Sequence, residues 1–434
     1  MSEYTKEEIL QMAEDEDVEF VRLQFTDMFG ALKNIAVTAR ELPRALDNEC
    51  RVDGNFISGI VAERGTTLYL HPDLDTFTIL PWRPQQGKVA RMLCNVYGED
   101  GKPYPTGGRY ILKETARKAA AKGYTCYADP ECEFFLFHTD ENGLPTTVTH
   151  EKASYLDISP LDLGENARRD IVLTLEDMGL EVKASLHEAA PAQHEIDFRP
   201  AEMNKMADDL TTFKMVVRTI AKRHGLHATF MPKPVQGVYG SGTHVRFTLY
   251  KDGKNVFADP SDPSKLSKEA YYFAGGLLAH GKEMALITNP LVNSYKRLVP
   301  GFDATYGLSC SDKDPNSVIK VSNINGAELG VEFKSPDASA NPYLLFAVCL
   351  SAGIDGIEKQ TEPLMTTGEE PEESIPRLPE SLQEAISIFK NSTWVKEVLG
   401  EEFCKQYVSA KEKEWHKYIC QVTEWELENY LYRV

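Results

Sequence analysis

No stretch of this sequence stays apolar long enough to cross a bilayer; the longest apolar run, around YLLFAVCLSAGI, ends too soon. Cysteines are few, eight in 434 residues, and no two are spaced as CxxC. That pattern excludes a disulfide scaffold and a thiolate zinc site, and it fits reduced thiols in a cytoplasmic protein. Positive charge is in deficit. A formal net charge of −19 speaks against nucleic acid or an anionic membrane as partner, because both require a basic face. Internal repeats are absent. The opening MSEYTKEEILQMAEDED is too acidic for a signal peptide, and Thr5 and Glu8 stand at capping-box spacing, which predicts a helix. What remains is a soluble globular composition, 42% hydrophobic and 26% charged. The length predicts one large domain and one smaller one.

Short strand-like runs fill residues 18–100: VEFVRLQF, NIAVT, TLYLHP and VARMLCNVY, with one helical stretch near 40–47. The turn-rich GEDGKPYPTGGR, 98–109, marks a boundary, and a helix over about 109–122 follows. Residues 162–179 read as a second helix, capped by Asp162, with Ile171, Val172, Leu175 and Met178 inward. A helix over about 380–390 should bury Leu382, Ala385, Ile386 and Phe389. The acidic, proline-rich 366–381 reads as a loop.

The stretch DPECEFFLF, 129–137, places Glu131 and Glu133 on one face of an otherwise buried strand. Two such carboxylates repel each other and resist desolvation unless a cation sits between them. YGSGTHVRFTLY, 239–250, alternates His244, Arg246 and Thr248 with Val245, Phe247 and Leu249, so one face is polar and the other can join a core. GVEFKS, 330–335, repeats the device with Glu332 and Lys334. Glu188 and Glu195 stand on two further strand-like runs. An oxygen-rich set with one imidazole suits Mg²⁺ or Mn²⁺ better than zinc or an iron–sulfur centre. From spacing alone, a solvated strand edge and a turn histidine explain the same residues.

Longer motifs change that balance. VRLQFTD (21–27), LGENARRDIVL (163–173), QHEIDF (193–198), RHGLHATFMPKP (223–234), NSYKRLVPG (293–301) and ANPYL (340–344) run almost from end to end of the chain. With them the sequence resembles a type I glutamine synthetase of the shorter, Gram-positive kind. The resemblance implies an α+β fold: a β-grasp domain over 1–104 and a catalytic α/β domain over 105–434. It also implies a homo-oligomer of two stacked hexameric rings, with active sites between neighbouring subunits. Two divalent ions per site are implied. Glu133, Glu188 and Glu195 match the ligands of one, and Glu131, His244 and Glu332 those of the other. The implied reaction uses ATP to phosphorylate a carboxylic acid, after which an amine displaces the phosphate. Asp53, from the adjacent subunit, matches the residue that deprotonates ammonium; Asp303 matches the residue of a closing loop, and Arg297 a glutamate-binding arginine. Tyr155, Tyr239 and Gly240 fall at the acid and ammonium contacts, and Arg246, Thr248 and Lys320 on the nucleotide side.

The departures from the family pattern cluster in that site. Tyr239 replaces an asparagine of N-G-S-G-x-H, and D-G-S-S reads D-G-N-F, which puts Asn55 and Phe56 beside the ammonium pocket. Asp303 is one methylene shorter than the family glutamate. Arginines are replaced by Pro315, Lys320, Gly330 and Lys334. Lysine keeps charge but loses the planar fork that grips carboxylate or phosphate. Restoring arginine at 315, 330 and 334, with Asn at 239, is therefore expected to raise activity with glutamate. Three readings stand: a ligase with an altered acid or amine, an ordinary glutamine synthetase, and a catalytically weak homologue that binds or regulates.

Overall fold

Helix α1 (Lys6–Asp15) begins at the predicted box: the Glu8 amide donates to the Thr5 hydroxyl, and the Glu8 carboxylate accepts from the Thr5 amide at 2.7 Å. The computed structural model describes residues 3–57, 66–83, 86–262, 265–299, 305–321 and 329–434. A six-stranded sheet follows α1. Its strands are β1 (Val18–Thr26), β2 (Leu32–Thr38), β3 (Arg51–Asp53), β4 (Thr67–Pro72), β5 (Thr78–Ile79) and β6 (Lys88–Tyr97). They lie in the order β2-β1-β6-β4-β3, with β5 also on β6; β1 and β6 run parallel and the other pairs antiparallel. Val21, Leu23, Leu68, Leu70 and Met92 close its apolar face together with Leu42 and Leu46 of the short helix α2 (Leu42–Leu46).

Helix α3 (Gly108–Ala121) leads into a ten-stranded sheet. Its strands are β7 (Tyr124–His138), β8 (Val182–His187), β9 (Gln193–Phe198), β10 (Ala201–Glu202), β11 (Leu226–Thr229), β12 (Thr243–Lys251), β13 (Lys254–Asn255), β14 (Gly307–Ser311), β15 (Ser317–Val321) and β16 (Val331–Phe333). The main path is β14-β15-β16-β12-β7-β9-β8. Central β12 pairs antiparallel with β7 over Thr243↔Cys132 to Lys251↔Tyr124 and with β16 over Val245↔Phe333 to Phe247↔Val331. Val245, Phe247 and Leu249 are fully buried, as their alternation requires.

Helices cover that buried face. They are α4 (Glu165–Asp177), α5 (Met203–Arg223), α6 (Lys268–Ala279), α7 (Gly281–Thr288) and α9 (Pro342–Lys359), while the short α8 (Ser294–Arg297) brings Arg297 to the polar side. Four more close the chain: α10 (Leu382–Asn391), α11 (Thr393–Leu399), α12 (Glu401–Ile419) and α13 (Glu424–Tyr430). In α10, Leu382, Ala385, Ile386 and Phe389 point inward as their spacing predicts. Asp162 does not cap α4. The helix starts later, behind Gly164, and Asp162 instead accepts from the Gly164 amide at 2.9 Å and pairs with Arg168 at 2.7 Å. The buried guanidinium outcompetes the helix end for that carboxylate.

Helices α6 and α9 cross through glycines. A Cβ on Gly276 would lie 2.0 Å from the Ala352 carbonyl oxygen, and one on Gly356 would lie 2.2 Å from that of Tyr272. The small and large sheets are joined by Arg109 of α3. Its Nε and Nη2 donate to the two Asp208 oxygens at 2.9 and 2.7 Å. Nη2 also reaches Asp73 at 2.8 Å, and Nη1 reaches Asn95 at 2.6 Å. None of the described helices is long and apolar enough to cross a membrane.

Candidate active site

The polar face of the large sheet opens into a cleft of about 400 Å³. Glu131 and Glu133 of β7, Glu195 of β9, His244 of β12 and Glu188, just beyond β8, line it. Tyr155, Tyr239, Gly240 and Arg297 complete the wall. Strand pairing dictates the convergence, since Glu131 stands opposite His244 and Glu133 opposite Glu195.

Two carboxylate groups divide the cleft. Ligand atoms of Glu131, His244 and Glu332 lie within 4.8 Å of one another. His244 Nδ1 is 3.9 Å from Glu131 Oε2 and 3.8 Å from Glu332 Oε1. Burial pushes His244 down to about 4, against the pull of Glu332, so the imidazole is neutral near pH 7 and keeps a lone pair for a cation. Burial, then the charges of Glu332 and Asp197, push Glu131 up to about 7.

The second group is held by backbone and amide donors. Glu133 Oε2 accepts from Gln193 Nε2 at 2.8 Å and from the Gly242 amide at 2.9 Å. Glu188 Oε2 accepts from the Ala189 amide at 2.9 Å. Burial, followed by Glu133, Asp197 and Glu188, drives the Glu195 carboxyl upward. Packing this many carboxylates together is unfavourable without positive charge. The donor chemistry fits a hard divalent cation, and the ligand atoms of Glu131, His244 and Glu332 lie close enough together to share one.

The structure distributes the other expected residues unevenly. Arg246 Nη2 lies 3.4 Å and Lys320 Nζ 4.0 Å from Glu332 Oε2, so both cations stand at the Glu131, His244 and Glu332 group. Thr248 shares β12 with Arg246 but is buried, only 3% exposed. Arg297 donates to the carbonyls of Ser335 and Lys334 at 3.0 and 3.3 Å, which fixes its stem along the cleft wall. Lys334 does not line the cleft; its Nζ donates to the Pro315 carbonyl at 2.9 Å. Asp53 and Phe56 are also outside it, both exposed, with Phe56 at 87%. Asn55 donates twice to Asp53 Oδ1, at 2.6 and 2.9 Å, and so orients that carboxylate. Asp303 lies outside the described residues.

Sequence reasoning missed a buried network behind the cleft. His187 Nε2 bonds Glu151 Oε1 at 2.6 Å, and Arg168 Nη1 lies 2.7 Å from both Asp162 Oδ2 and His194 Nδ1. Against the upward push of burial, hydrogen bonds from His187 and Ala192 hold Glu151 down to about 2. Arg168 already supplies the positive charge here, so these residues brace the β8–β9 hairpin that carries Glu188 and Glu195. Gln193 was missed too, although it alternates with Glu195 and Asp197 on one strand face and could have been found there.

The family model described as "Glutamine synthetase, catalytic domain" matches residues 106–430, and "Glutamine synthetase, beta-Grasp domain" matches residues 17–99. The chain belongs to the glutamine synthetase family and is a C–N bond-forming ligase. It is similar to the glutamine synthetase of Clostridium saccharobutylicum, with 51% identity over 440 residues covering 99% of each chain. It is also similar to that of Staphylococcus aureus, with 44% identity over 438 residues covering 99% of this chain and 98% of the relative. Among solved structures, the GmaS/ADP complex in conformation 1 aligns with a TM-score of 0.88 and 29% identity over 98% of this chain and 99% of that one. Apo GmaS without ligand aligns with a TM-score of 0.87 and 29% identity, covering 97% of this chain and 99% of that one.

Proposed function

We propose that this protein joins a carboxylic acid to an amine through an acyl phosphate formed with ATP. The observation that carries the reading is the convergence of Glu131, His244 and Glu332 beside Glu133, Glu188 and Glu195 on one sheet face. These groups would hold two Mg²⁺ or Mn²⁺ ions, which when bound neutralise charge on the transferring phosphoryl group. Arg246 and Lys320 add fixed positive charge on that side. Arg297, Tyr155, Tyr239 and Gly240 border the space for the acid, with Lys334 at its margin. The ADP of the GmaS complex supports a nucleotide as co-substrate.

Asp53 takes the proton from the amine, and it does so in the cleft of a neighbouring copy, with Phe56 beside it. Their exposure away from their own cleft supports that arrangement. Asp303 closes the site. The assembly is the pair of stacked hexameric rings implied by the resemblance. The cysteines, all free and seven of the eight buried, suit the cytoplasm.

Glutamate and ammonium are the first substrate pair, because the relatives at 51% and 44% identity are glutamine synthetases. A second reading, an altered acid or amine, is favoured by Tyr239 on the cleft wall and by Lys334 turned to the Pro315 carbonyl. Phosphate release from Mg²⁺-ATP across a panel of acids and amines separates them. Turnover with glutamate and ammonium at about 1–10³ s⁻¹ establishes the first reading. Turnover confined to another pair establishes the second. ATP binding without turnover on any pair overturns both in favour of a binding or regulatory role.

A further inference from the structure

Gly330 precedes β16, and its backbone is not in the left-handed region that favours glycine, so its lack of a side chain is a matter of space. A Cβ there would lie 2.7 Å from Arg246 Cγ, 3.0 Å from Arg246 Cδ and 2.8 Å from the Phe247 carbonyl oxygen. The stem of Arg246 therefore occupies the volume that a side chain at 330 would need. Register explains why. Arg246 stands opposite Glu332 on β16 and opposite Asp129 on β7, and Lys320 stands opposite Glu332 from β15. Across four neighbouring strands the row Lys320, Glu332, Arg246, Asp129 alternates in sign.

The guanidinium is positioned but not consumed. Its one hydrogen bond to a described side chain is the 3.4 Å contact to Glu332, longer than the roughly 2.7–2.9 Å of a tight charge-assisted bond. The side chain is 17% exposed, on the same face as His244 and two residues away. Arginine carries five N–H donors in a planar fork that suits phosphate, whereas the nearby Lys320 offers a point charge.

We propose that Arg246 binds the nucleotide's phosphates and that Gly330 is kept without a side chain to seat it. The proposal rests on the ligase reading above. It also reverses the expectation that adding arginine at 330 would raise activity: that side chain must evict Arg246, so one cation is lost as the other arrives.

The test is a double-mutant cycle read by binding of adenosine, ADP and ATP in the presence of Mg²⁺, with thermal unfolding alongside. R246A should weaken ADP and ATP by about 10- to 100-fold and leave adenosine within about twofold. R246M, which keeps the stem and removes the charge, should do the same. G330A should reproduce the phosphate-selective loss. Added to R246A it should cost less than about threefold more, because both changes act through one guanidinium. The Phe247 carbonyl contact lets G330A lower the melting temperature, so the readout is the nucleotide selectivity. Equal weakening of adenosine and ATP in R246M, or R246A binding ATP like the wild type, would overturn the role of Arg246. Losses from R246A and G330A that multiply would overturn the role of Gly330. Wild-type protein that binds no nucleotide would instead remove the ligase reading itself.

Discussion

A cation at Glu131 would have to displace a proton. Its carboxyl is pushed up to about 7, chiefly by burial and then by Glu332 and Asp197. A group raised in this way adds stability below its unfolded value, and that stability is lost as pH rises through about 7. Cation binding needs the anion, so Mn²⁺ affinity should climb about tenfold per pH unit below 7 and flatten above it. Counting free Mn²⁺ by electron paramagnetic resonance at about pH 6 and pH 8 checks this. A flat profile would show that Glu131 is not a ligand; Glu131→Gln should reduce the slope, and what remains belongs to Glu195, whose carboxyl is also driven upward. The carboxylates were legible in the sequence because a charge inside an apolar alternation is conspicuous. Gly330 was not. A glycine reads as an absence, and only the position of the Arg246 stem shows what the absence is for.

The strands followed their period of two, so β7, β12 and the polar face they share could be drawn before any coordinates. Helix ends were less legible. The 162–179 pattern gave the apolar face of α4 correctly, but its start moved because Arg168 claims Asp162, a contact between residues that no local rule pairs. Contacts between helices were not legible at all. The crossing of α6 and α9 brings backbone against backbone, and carbonyls cannot rotate away as side chains can. Gly276→Ala should therefore destabilise by about 3 kcal/mol, at the upper end for overpacking. Urea unfolding measures it. A change below about 0.5 kcal/mol, the usual surface value, would mean that the helices can part freely.

At the scale of the molecule, Arg109 ties Asp73 and Asn95 of the small sheet's side to Asp208 of α5. Removing it leaves Asp208 buried without its cation, while Asp73 keeps Lys113 at 2.9 Å, so Arg109→Ala should cost about 3 kcal/mol. The domains should still unfold in a single transition in the wild type, and scanning calorimetry of both forms tests this. The proposed sharing of sites between copies makes a separate prediction. Asp53→Ala and Glu133→Gln proteins, each inactive, should regain about a quarter of wild-type activity when unfolded and reassembled together, because random pairing rebuilds that share of sites. Mixtures that stay inactive would place Asp53 outside any cleft. The sequence's resemblance, not its periodicity, suggested such sharing, since no local pattern reveals a neighbour.

Central β12 offers one face to the core and the other to the cleft. Inserting a single residue before His244 would turn the imidazole and the guanidinium inward and expose Val245, Phe247 and Leu249. The lineage can therefore explore new substrates by exchanging residues along this strand, but not by changing its length. Inheritance of the cleft-facing side chains and inheritance of the packed core are, in this strand, one event.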